Sequence, residues 1–85
     1  MKEFSFVIKD KLGIHARPAG MIVKIVKDSS CVVTISKGDK AIDASKLMSL
    51  LGMGIKYNDT VKLSIEGVNE NETFEKLKGF FEEML

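Results

Sequence analysis

One histidine, one arginine and one proline occur in the 85 residues, and they fall together as His15, Arg17 and Pro18. An imidazole nitrogen that carries no proton is a nucleophile, and a guanidinium is a planar fork of N–H donors that matches phosphate oxygens. His15 could therefore accept a phosphoryl group whose charge Arg17 offsets, chemistry in which positioning and neutralisation supply most of the catalysis. A lone loop histidine is equally an ordinary surface or capping residue, and spacing alone leaves both readings open. No carboxylate follows within six residues to orient the ring, and there is no second histidine. One His and one Cys, 16 residues apart, cannot build a zinc cluster, so no metal or cofactor is expected. Cys31, on the apolar side of an alternating run, is expected as inert core.

The elements that must hold these residues can be read from hydrophobic period. Residues Lys2 to Lys9 alternate, with Phe4, Phe6 and Ile8 on one side, as in a half-buried strand. After Asp10-Lys11-Leu12-Gly13 the spacing changes to Ala19, Ile22, Val23, Val26, the stripe of a helix. Proline is tolerated only in a first turn, so the helix begins just before Pro18 and His15 lies at or next to its N-cap. Unpaired amides of residues 16 and 17 would then face the same anion as Arg17, with the positive end of the helix dipole behind them.

Further along, Cys31 to Ser36 and a shorter strand around Lys40 to Asp43 form a hairpin through Lys37-Gly38-Asp39. Ser45 is placed to cap a short helix carrying Leu47, Leu50 and Leu51 and ending at Gly52 or Gly54. Met48 and Met53 flank that stripe and suit either a partner patch or core filling. Gly52-Met53-Gly54 lacks the third glycine of a dinucleotide loop. Val61, Leu63 and Ile65 mark a strand, and Phe74, Leu77, Phe81 and Met84 mark a closing helix from Asn69 to Leu85. The order βαββαβα, with one polar face on most strands, predicts an α+β open-faced two-layer sandwich: a four-stranded antiparallel sheet with all three helices on one face.

Composition narrows the function classes. A chain of this length is expected to form a single domain, residues 1–85. Thirteen basic against twelve acidic residues, a net charge of +1, give no general drive toward nucleic acid or an anionic membrane. A single cysteine points to a reducing, cytoplasmic setting, and no apolar run suggests a signal peptide or membrane insertion. Lys24 and Lys27, off the first helix's apolar stripe, could join Arg17 as a basic rim for an acidic partner.

The segment Leu12-Gly13-Ile14-His15-Ala16-Arg17-Pro18-Ala19 resembles the active-site motif of the HPr family, the histidine-containing phosphocarriers of the bacterial sugar phosphotransferase system. The resemblance extends through the βαββαβα order, Ser45 to Leu51 followed by Gly54-Ile55, and Ser64-Ile65-Glu66-Gly67. It implies a phosphoryl carrier in place of a turnover enzyme. His15 would be phosphorylated on Nδ1 and Arg17 would steady the phosphoryl group, received from enzyme I and passed to IIA domains of sugar permeases. The partner face implied is Ala16, Gly20, Lys24 and Lys27 with Leu47, Met48 and Leu51, on a monomer. A separate phosphorelay or regulatory module of HPr type is the alternative. Where Gram-positive members carry a regulatory serine this chain has Lys46, with Ser45 one place earlier, so that control is expected to be absent. Gly20 stands where alanine or threonine is usual and should weaken the helix.

Overall fold

Alternation along each strand decides which side chains meet the helices, and the observed burial follows it. The computed structural model describes Met1–Leu85 and contains strands β1 (Lys2–Val7), β2 (Cys31–Lys37), β3 (Lys40–Asp43) and β4 (Thr60–Gly67). Helices α1 (Ala16–Asp28), α2 (Leu47–Gly52) and α3 (Glu70–Met84) complete the βαββαβα order. All pairings are antiparallel, in the order β1-β4-β2-β3, with Phe4 opposite Leu63 and Ile35 opposite both Leu63 and Ile42. In β4 the buried Val61, Leu63 and Ile65 alternate with Lys62, Ser64 and Glu66. The polar face of the sheet stays in water, where Lys62 pairs with Glu3 at 3.3 Å.

α1 lies between α2 and α3 and packs on β2, α2 packs on β3, and α3 covers β1 and β4. Ala19, Ile22, Val23 and Val26 of α1 join Leu50, Leu77 and Phe81 in one core of 18 buried residues. Phe81 receives the rings of Phe4 and Phe6 edge-on, with centroids 5.8 and 5.5 Å away, which ties α3 to β1.

Several expectations need correction. The first strand ends at Val7, so Lys9 falls in the following loop. Ser45 does not cap α2; Lys46 occupies the N-cap, and Ser45 is drawn into a turn by the Asp43 carboxylate. Gly52 remains helical and Gly54 takes the left-handed conformation, φ +64°. Met53 is core, whereas Met48 is 76% exposed. Leu47 departs from the apolar stripe and faces solvent. Met84 is exposed because one further residue of helical rotation brings Leu85 into the core instead. Cys31 is only half-buried, its thiol 3.2 Å from the Asn69 amide oxygen.

Candidate functional site

The loop that delivers His15 is built from short hydrogen bonds and one close approach. Asp10 turns the chain: its carboxylate accepts the Leu12 N–H at 2.8 Å and its carbonyl accepts the Gly13 N–H at 2.9 Å. Gly13 holds φ +67°, and a Cβ there would meet Lys56 Cα at 2.7 Å and collide with the Ile55 carbonyl oxygen. Only glycine fits both conditions. That same Ile55 carbonyl accepts the Ile14 N–H at 3.1 Å, and the Ile14 side chain is buried. The residue before His15 is thus fastened to the chain that follows α2.

His15 is the N-cap of α1, with extended backbone angles (φ −94°, ψ −174°) and no side-chain capping bond. Its carbonyl accepts the first intrahelical bond, from the Ala19 N–H at 3.0 Å. The imidazole is half-buried and not spent on the helix. Pro18 occupies the third helical position and is buried, its missing N–H no loss there. The amides of Ala16 and Arg17 have no intrahelical partner, and no acidic side chain occupies the first turn to compete for them. Arg17 is exposed and forms no ion pair within the chain. A nucleophilic ring, two free amides, a helix dipole and an unpaired guanidinium therefore share one helix end, which suits a phosphoryl group.

Of the residues expected around this centre, Ala16 and Lys27 are exposed and Gly20 is half-buried on α1. α2 lies against α1 and presents Met48, Leu47 at 39% exposure, and a half-buried Leu51. Met48 and Leu47 are thus exposed apolar side chains on α2, and Lys27 is an exposed base on the neighbouring α1. Lys24, also exposed, pairs with Asp28 at 3.2 Å and borders the groove between α1 and α3. Lys46 is exposed, and the Ser45 hydroxyl is occupied, donating to Asp43 at 2.8 Å. The Ser45 backbone and hydroxyl bonds, with Lys46 nearby, hold the Asp43 carboxyl below its usual range.

Sequence reasoning missed the loop behind the site. Lys37 at the end of β2 reaches the Asp59 carboxylate at 2.8 Å and the Gly54 carbonyl at 3.3 Å, and Asp59 also accepts the Lys56 N–H at 2.7 Å. The Lys37 hydrogen bond, then that of Lys56, depresses the Asp59 pKa. Residues this far apart carry no periodic signal that would have paired them. No three His, Cys, Asp or Glu side chains come together as a metal-ligand set.

Comparison with known proteins agrees with this geometry. Residues 2–83 match the family described as "PTS HPr component phosphorylation site". The phosphocarrier protein HPr of Chlamydia trachomatis is 37% identical over 76 residues, 89% of this chain and 70% of that protein. The HPr-like protein Crh of Halalkalibacterium halodurans is 33% identical, covering 96% of this chain and 98% of its own. The crystal structure of HPr from Thermoanaerobacter tengcongensis superposes with a TM-score of 0.91 at 35% identity, over 96% of this chain and 92% of that one; its dimer gives 0.76. An open-faced sandwich with a histidine at an uncapped helix end is the framework of a phosphoryl carrier. The chain belongs to the HPr phosphocarrier family. No helix is long and apolar enough to cross a membrane.

Proposed function

We propose that residues 1–85 act as one cytoplasmic carrier domain that accepts a phosphoryl group on His15 from enzyme I and passes it to IIA domains of sugar permeases. The observation that carries this reading is the half-buried His15 at an uncapped helix N-terminus, two residues from an unpaired Arg17, in a chain of this family. In the exchange, His15 Nδ1 attacks the phosphorus of a phosphohistidine on the donor. A new N–P bond forms as the old one breaks, and the electron pair leaves on the donor's ring nitrogen. The amides of Ala16 and Arg17 and the Arg17 guanidinium hold the phosphoryl oxygens. The exposed faces of α1 and α2, with Met48 as the apolar tip and Lys27 on the rim, receive the partners. Only an N–P bond moves, so the chain is a carrier with no net turnover of its own.

Incubation with enzyme I, magnesium and phosphoenolpyruvate is expected to give an acid-labile, base-stable phosphate on His15. His15→Ala should remain unlabelled and Arg17→Ala should be labelled more slowly; equal labelling of His15→Ala would remove the nucleophile from this account. Sedimentation of the same sample reads its association state, for which a monomer is expected. The likeness to Crh supports a second reading, a regulatory or separate phosphorelay module. Normal phosphorylation by enzyme I without restored sugar uptake in a strain lacking its own HPr would favour it.

A further inference from the structure

The loop between α2 and β4 touches the histidine segment at two backbone points, the Ile55 carbonyl on Ile14 and the Lys56 Cα against Gly13. His15 is the next residue, so the direction of its ring depends on where that loop stands. Within the loop the Asp59 carboxylate accepts the Lys56 N–H at 2.7 Å and the Asp59 N–H donates to the Lys56 carbonyl at 3.0 Å, which closes its second half as a turn. Gly54 and Asn58 both hold left-handed backbone angles, φ +64° and +72°, the conformation that glycine and asparagine tolerate best.

Two further sets of ties anchor the loop to the sheet. On the β1 side, Asn58 N–H donates to the Ile8 carbonyl at 2.8 Å and Ile8 N–H donates to the Asp59 carbonyl at 2.9 Å. On the β2 side the side-chain tie is Lys37, whose ammonium spans Gly54 and Asp59, the two ends of the loop. A pair such as Lys24–Asp28, with side chains 78% and 67% exposed, is screened by water and contributes little. Lys37 and Asp59 are 33% and 27% exposed, and their bond is shorter and less screened.

We propose that Lys37 and Asp59 are positioning residues for phosphoryl transfer at His15: they close the 54–59 loop from the β2 side, and its backbone fixes Gly13, Ile14 and the presentation of the ring. This deepens the phosphocarrier reading and rests on it. Neither side chain is required to touch the phosphoryl group. Misplacing a reacting group by about 1 Å is enough to slow transfer up to about a hundredfold.

The test uses the full chain as substrate of enzyme I, with Lys37→Met, Asp59→Asn, their double variant, Lys37→Arg and, as a stability control, Phe74→Leu on α3, where Phe74 packs edge-on against Phe4. Each single variant is expected to lower kcat about three- to tenfold with KM changed less than about twofold. The double variant should be no slower than the slower single, because both act through one loop. Lys37→Arg should recover most of the rate, and hydrogen exchange at the Ile14 amide should quicken in Lys37→Met. Phe74→Leu should lose thermal stability and keep its kcat. Unchanged kcat in both singles, a loss confined to KM, or an equal kcat loss in Phe74→Leu overturns the proposal while leaving the carrier reading intact. A wild-type chain that enzyme I does not phosphorylate overturns both.

Discussion

Gly13 and Gly20 flank the start of α1 and have opposite consequences for stability. At Gly13 a side chain would need the left-handed region, φ +67°, and would drive a Cβ into the Ile55–Lys56 backbone. Gly13→Ala is therefore expected to destabilise the fold by about 2 kcal/mol or more, read from denaturant midpoints. At Gly20 the backbone is helical and no atom lies within 4 Å of a built Cβ. Gly20→Ala should stabilise by about 0.5–1 kcal/mol, since alanine loses less backbone entropy in a helix. Reversal of either sign would show that the local backbone has been misjudged. The residue types at the site were legible because His15, Arg17 and Pro18 are each unique in the chain. The role of Gly13 was not, because its necessity comes from a segment some forty positions away.

At the scale of elements, α2 shows how a shift of one residue changes chemistry. Serine and lysine adjoin at positions 45 and 46, and propensity favours serine as the cap. The Asp43 carboxylate instead binds both the Ser45 amide and hydroxyl, leaving the extended Lys46 at the N-cap. Ser45 is thereby half-buried, its hydroxyl is committed, and phosphate there would face Asp43. An HPr kinase with ATP is expected to leave Ser45 without stoichiometric phosphate by intact-mass measurement; a single complete phosphorylation mapped to Ser45 would refute this. The six-residue helix turns its one methionine, Met48, outward, while Met53 at its C-cap closes into the core. Short helices offer too few turns for periodicity to make that distinction.

For the whole molecule, the net charge of +1 hides an uneven distribution. α1 and the start of α2 carry Arg17, Lys24, Lys27 and Lys46 against Asp28, while α3 carries Glu70, Glu72, Glu75, Glu82 and Glu83 against Lys76 and Lys78. Three carboxyls, Asp43 in a local turn and Asp59 and Glu70 joined to residues far along the chain, are held below their ordinary values of 3.8 for Asp43 and Asp59 and 4.5 for Glu70. Glu70 is lowered first by the Met1 ammonium, 3.0 Å away, and then by the Gly67 amide. Above those ordinary values all three are ionised in the folded and unfolded chain, and their stabilisation is fully present. As pH falls through them the unfolded chain takes up protons first, and the stabilisation is lost. Thermal midpoints should therefore fall between about pH 5 and about pH 3, and less steeply in Asp59→Asn. A flat profile, or an unaltered slope in Asp59→Asn, would contradict this account.

What the sequence determined by itself is local: strand alternation, the α1 stripe, a proline marking the first turn, and the chemistry of a histidine beside an arginine at that turn. Those features are encoded within a few residues of one another, where period and propensity act directly. Tertiary structure alone decided that Ile55 holds Ile14, that Lys37 closes the loop onto Asp59, that Met53 and Leu85 are buried, and that Lys24 borders α3 while α2 lies along the other flank of α1. These pairings depend on which surfaces the sheet order brings together, and the same residue types fit many such arrangements until the core is packed.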